Sequence, residues 1–126
     1  MVDLLPLTVL GLDHVQLAAP RGCEDAARAF YGDVLGMQEL PKPAEIRGRG
    51  GVWFAAGEQE LHIGVEEPFA PARKAHPGLV VGDIDAVRAR LVAAGYEPED
   101  NVAIEGVRRL FVHDPFGNRL ELRQSA

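Results

Sequence analysis

Residues 59–65, QELHIGV, return in outline at residues 118–124 as NRLELRQ. At an offset of 59 positions, Gln59, Glu60, Leu61, His62 and Ile63 fall on Asn118, Arg119, Leu120, Glu121 and Leu122. The same offset carries Gly36 onto Gly95, and an offset of 62 carries His14 onto His76, so one half holds three extra residues between strand and helix. Two copies of a unit this long do not make a stacked array, whose periods are shorter and more numerous; they make a duplicated supersecondary module. The duplication also pairs unlike residues, because His62 and Glu121 share one slot.

The order of elements within each half follows from periodicity. In LDHVQLAA, residues 12–19, Leu12, His14, Gln16 and Ala18 alternate with Asp13, Val15, Leu17 and Ala19, the two-residue period of a strand. Ala26, Phe30 and Val34 recur at helical spacing within residues 23–35, and Gly36 suits a C-terminal stop. A short strand near MQEL follows, then the loop PKPAEIRGRGG, then Val52–Ala56 and Glu60–Val65, two apolar runs separated by GEQ as in a hairpin. After the proline-containing linker 66–74, the second half repeats the order. HPGLVV reads as a strand, and Asp83 caps a helix with Ile84, Val87, Leu91 and Ala94 on one face before Gly95. A weak strand near YEPED, the strand VRRLFVHD, the turn DPFGN and the strand RLELR complete it. The expected architecture is therefore an α+β fold of two β-α-β-β-β modules, about 10–65 and 75–124, within a single domain spanning 1–126.

Composition narrows the function classes. With 47% hydrophobic and 25% charged residues, 126 residues suffice for one soluble domain with a real core. A net charge of -6 argues against a nucleic-acid partner. The single cysteine, Cys23, excludes an intrachain disulfide and reads as structural, with a cytoplasmic location as the default. The N-terminal MVDLLPLTVLGLDHV is interrupted by Asp3 and Pro6, so it reads as an extra strand or arm and not as a membrane span.

Four residues occupy the corresponding first-strand and last-strand slots of the two halves: His14, His62, His76 and Glu121. Three imidazoles and a carboxylate suit a borderline divalent metal such as zinc, nickel, iron or manganese. Strand parity puts His62 and Glu121 on the face opposite Leu61, Ile63, Leu120 and Leu122, so the candidates face away from a helix-covered core into a polar concavity. Each histidine alone reads more readily as a hydrogen-bonded core or surface residue than as a ligand; their joint placement carries the metal reading. His113, at a strand end before DPFGN, Arg47 and Arg49 in RGRGG, and Trp53 are candidates for substrate contact, while Trp53, Phe111 and Phe116 also suit the core.

The segments LDHVQLAA, AFYGDVLGM, QELHIGV, AHPGLVVGDIDAV and HDPFGNRLEL, in this order, resemble the vicinal oxygen chelate superfamily of glyoxalases, bleomycin-resistance proteins and extradiol dioxygenases. The resemblance implies that the paired modules curve into a cup of mixed sheet with helices outside. It also implies that His14, His62, His76 and Glu121 hold one divalent ion, and that the substrate is a small molecule with vicinal oxygens. Glu121 is then both ligand and catalytic base, in chemistry of the lyase, isomerase or dioxygenase type, and a homodimer is the expected assembly. The alternative within the same resemblance is a metal-free protein that binds a small molecule or drug, as bleomycin-resistance proteins do.

Overall fold

The computed structural model describes residues 7–125. Each half forms a four-stranded mixed sheet. The first has the order β1-β4-β3-β2, built from His14–Ala19 (β1), Glu39–Leu40 (β2), Val52–Ala56 (β3) and Gln59–Val65 (β4). The second has the order β5-β8-β7-β6, built from Gly78–Val81 (β5), Glu99–Asn101 (β6), Arg109–His113 (β7) and Arg119–Gln124 (β8). In both, the first strand runs parallel to the last, because a helical crossover separates them in sequence, and the remaining pairs are antiparallel. The duplication read from QELHIGV and NRLELRQ is thus a duplication of topology, and the modules form two open sheets.

Both crossover helices end where expected, with Gly36 at φ +75 and Gly95 at φ +93, conformations that glycine enters without a Cβ clash. Helix α2, Ile84–Ala93, starts at Asp83, whose side chain accepts from the Ala86 N–H at 3.1 Å. The first crossover departs from a plain α-helix. Only Glu24–Ala27 (α1) is α-helical, and Arg28–Val34 continues as π-helix. Phe30 and Tyr31, adjacent in sequence, lie within the π-helical turn and are both fully buried. The glycine-rich loop holds a 3₁₀ turn at Ala44–Arg49, and residues 76 and 77 precede β5 where a strand from 76 was expected. The N-terminal arm falls partly on residues 1–6, outside the described residues, and residues 7–13 form no strand.

One core joins the halves. Phe54, Leu61 and Ile63 meet Phe30 and Tyr31, while Leu110, Val112, Leu120 and Leu122 meet Ile84 and Leu91. Phe30 also stacks edge-on with Tyr96, centroids 4.8 Å apart. Polar bonds cross the same seam. The Tyr31 hydroxyl donates to Asp114 Oδ2 at 2.6 Å, and Asn118 Nδ2 donates to the Ala18 carbonyl at 2.8 Å. Burial and the Asp114 carboxylate push the Tyr31 hydroxyl well above its ordinary pKa of 10.0. Asp114 closes its own turn, accepting from the backbone N–H of Phe116 and Asn118 at 2.9 and 2.8 Å.

Candidate functional site

On the first sheet, the face turned away from the core carries a stack of three rings. His62 lies between Trp53, centroids 3.8 Å apart and 2° from parallel, and His14, centroids 4.2 Å apart and 16° from parallel. The register explains the Trp53 contact, since Trp53 is the direct cross-strand neighbour of His62. His62 is only 4% exposed. Its Nε2 lies 2.8 Å from Glu60 Oε1, and His14 Nδ1 lies 2.8 Å from Asp13 Oδ2. A carboxylate accepts, so each of these nitrogens is the donor, which leaves Nε2 of His14 and Nδ1 of His62 as the lone-pair positions. An imidazole binds a cation in its own plane, and two nearly parallel planes do not meet near the rings. In these orientations His14 and His62 do not aim at one point.

On the second sheet, Glu121 and His76 form the corresponding pair. His76 Nδ1 donates to the Lys74 carbonyl at 2.8 Å, and its Nε2 stands 3.3 Å from Glu121 Oε1. With Nδ1 protonated, the neutral ring turns a lone pair toward a carboxylate oxygen, a juxtaposition that a proton or a cation relieves. Glu121, 7% exposed, also accepts from Arg109 Nη1 at 3.1 Å, and Arg123 Nε lies 2.9 Å from its other oxygen. Phe111, the cross-strand neighbour of Glu121, packs edge-on against His76 at 5.1 Å and carries the Arg119 guanidinium over its ring at 4.0 Å.

The four sequence-derived candidates therefore come together as two pairs, His14 with His62 and His76 with Glu121. Among the described residues, no group of three or more His, Cys, Asp or Glu side chains lies close enough to hold a metal ion. Of the substrate-contact candidates, Trp53 stands against His62, and Arg47 lines a small pocket beside Trp53 together with Lys42 and Glu24. His113 lines a second pocket of about 350 Å³ with Phe111 and Arg119, and Arg49 is exposed and lines neither. Phe116 packs on the core, whereas Trp53 and Phe111 face the candidate pairs. Arg109 and Arg123, which hold Glu121, were not singled out from the sequence. Strand parity carries the signal for both: Arg123 is two residues from Glu121, and Arg109 is two from its neighbour Phe111.

A groove of about 1200 Å³ runs between the free edges of β1 and β5 and is lined by Leu12, Val15, Leu17, His76, Leu79 and Val80. Leu7, Val9, Leu10, Leu12 and Val80 are strongly exposed along or near these edges.

Comparison with known proteins accords with the fold. Residues 11–122 match the sequence profile of the Glyoxalase/Bleomycin resistance protein/Dioxygenase superfamily. Comparison with curated proteins returns no match. Among solved structures, a glyoxalase family protein from Bacillus anthracis is 50% identical, with 97% of this chain and 100% of that chain covered and a TM-score of 0.91. A lactoylglutathione lyase from Agrobacterium tumefaciens is 24% identical, with coverage of 93% and 95% and a TM-score of 0.70. An antibiotic-binding protein from a Streptomyces species is 21% identical, with coverage of 96% and 100% and a TM-score of 0.75. These last two share the fold. The profile match over nearly the whole chain and the half-identical relative establish the conclusion: the chain belongs to the glyoxalase, bleomycin resistance protein and dioxygenase superfamily.

Proposed function

We propose that the protein is a metal-dependent enzyme acting on a small substrate with vicinal oxygens, and that its site is completed by a second copy of the chain. The observation that carries the reading is the hydrogen bonding of the two first-strand histidines. Asp13 and the Lys74 carbonyl fix Nδ1 of His14 and His76 as donors, leaving Nε2 of both rings free to bind a cation, the arrangement that orients histidine ligands in metal sites. With the Glu121 carboxylate these nitrogens make a donor set that fits a borderline divalent ion such as zinc, nickel, iron or manganese. His62 joins as a fourth ligand on turning out of its stack.

One chain offers the donors only as two pairs, so a homodimer that sets the first sheet of one copy against the second sheet of its partner supplies the missing half. Among the described residues β1 and β5 are edge strands, and their edges, flanked by exposed leucines and valines, are the surfaces for such an assembly. A bound divalent ion would supply electrophilic stabilisation of the charge that develops on the two adjacent substrate oxygens. The chain's own residues do the rest. Glu121, held by Arg109, is the carboxylate placed to take and return a proton, and Trp53 and Phe111 wall the two sides. Such a site is open to lyase, isomerase or dioxygenase chemistry, and the identity of the metal would narrow the choice.

The test is elemental analysis of wild-type protein, His14→Ala, Glu121→Ala, and a refolded mixture of the two variants. Near-stoichiometric metal in wild type, its loss in each variant and partial recovery in the mixture are expected, because a mixed dimer keeps one intact site. Absence of metal after reconstitution refutes the enzyme reading, and no recovery on mixing refutes the shared site. The open groove between β1 and β5 favours one alternative, a metal-free protein that binds a small molecule or drug. A metal-free protein that still binds hydrophobic cationic drugs would establish it.

A further inference from the structure

The second sheet gathers positive charge where the chain as a whole is acidic. Arg109, Arg119 and Arg123 share the face that carries Glu121, among the described residues the only carboxylate paired with any of them, in a chain of net charge -6. Their hydrogen bonding is incomplete. Arg109 spends Nη1 on Glu121 and Nη2 on the Asn101 side chain at 3.0 Å, yet its Nε is buried with no acceptor. Arg123 Nε, although 2.9 Å from Glu121 Oε2, has its N–H turned out of line and is likewise buried without a hydrogen bond. Leaving a buried donor of a charged group unpaired costs more than an ordinary hydrogen bond contributes, so both groups lack an acceptor that a ligand can bring.

Charge balance leads to the same place. One carboxylate faces two close guanidinium groups. When Glu121 serves a divalent cation, its charge is spent there, and among the described residues no other carboxylate is ion-paired with Arg109 or Arg123, the nearest on that face being Glu99 across from Phe111. We infer that the molecule processed at this site carries an oxyanion, a carboxylate or phosphonate group, beside its vicinal oxygens, and that Arg109 and Arg123 bind that group on either side of Glu121. The guanidinium fork presents paired N–H donors that match the two oxygens of such a group. The inference rests on the metal-dependent reading for the neighbouring oxygens, but the arginine pair and its unmet donors stand without it. Arg119 lies over Phe111 and adds to the field without being the anchor.

Titration of the protein by NMR, metal-stripped and zinc-loaded, with benzoate, phenylphosphonate and neutral benzamide tests this, since none of these probes presents vicinal oxygens for chelation. The anions are expected to bind at least about tenfold more tightly than benzamide, a difference of about 1.4 kcal/mol. Arg109→Gln and Arg123→Gln are each expected to weaken the anions by about tenfold in the metal-stripped protein while benzamide affinity stays unchanged. Arg21→Gln, at an exposed arginine paired with Glu67, is the control. If Arg109→Gln fails to fold, the half-exposed Arg123 decides. Equal binding of benzamide, or anion binding unaffected by Arg123→Gln, overturns the inference. A protein that takes up no zinc but loses anion binding in Arg123→Gln retains the anion site and refutes the metal reading alone. The stronger of benzoate and phenylphosphonate identifies the oxyanion class.

Discussion

His14 and His62 lie face to face, centroids 4.2 Å apart and 16° from parallel, and so cannot aim at one ion without one ring turning. If His14, His76 and Glu121 form the primary set, the two histidines differ in consequence. His14→Gln is expected to lower metal affinity far more than His62→Gln, a comparison made by chelator competition on the two variants.

Trp53, the single tryptophan, is stacked on His62 at 3.8 Å and so reports on that ring. His62→Ala uncovers the indole to water, and its fluorescence emission is expected to shift to longer wavelength. An unchanged spectrum would mean that the stack does not persist in solution.

The Tyr31 to Asp114 bond links the modules through a buried pair. Tyr31→Phe removes one donor from a carboxylate that keeps its other partners, and urea unfolding is expected to show a loss of about 1–2 kcal/mol. Because folding raises the Tyr31 pKa above its ordinary 10.0, its contribution is complete below pH 10.0 and declines as pH rises beyond it. The variant is expected to lose less stability than wild type above that pH.

Asp85 responds at the opposite end of the scale. Hydrogen bonds from Arg108 and Arg88 hold its carboxyl down to about 2, from an ordinary 3.8. A depressed acid stabilises the fold above its unfolded value, so this contribution is present above pH 3.8 and is lost as pH falls toward about 2. Asp85→Asn is expected to flatten that part of an acid titration of stability.

Two glycines separate close backbone approach from mere proximity. Gly51, at φ +89, donates its N–H to Glu24 Oε2, and a Cβ there would press into the Ile63 carbonyl oxygen. Gly51→Ala is expected to cost about 2–3 kcal/mol by thermal or urea unfolding. At Gly64 the added Cβ would meet the amide end of Gln16, a flexible side chain that can move, so Gly64→Ala should cost under about 1 kcal/mol.

The repeat was legible because its markers are local. Alternation around His62 and Glu121, the cap at Asp83 and the stops at Gly36 and Gly95 each depend on a few neighbouring residues and backbone geometry. The π-helical course of Arg28–Val34 was not legible, because the apolar spacing of Ala26, Phe30 and Val34 does not distinguish a π turn from an α turn. The site shows the same division. Parity sets His62 and Glu121 on the face away from the core, but which ring stacks on which depends on cross-strand neighbours that register alone reveals. Arg109 lies 12 residues from Glu121 in sequence and in hydrogen-bond contact with it in space.

Asn118 immediately precedes the strand that bears Glu121, and its side chain holds the Ala18 carbonyl at the far end of the strand that bears His14. Asp114, four residues earlier, holds Asn118 and Tyr31 together. The descendants of the duplicated segment have thereby given up their independence. A fragment ending after Val65 would strand the Tyr31 hydroxyl and expose the ring edge of Phe30, and a fragment beginning at Gly78 would carry an Asp114 turn with no tyrosine to receive. What began as two interchangeable units has become a single heritable piece, in which a change on one side of the seam is tolerated only with the consent of the other.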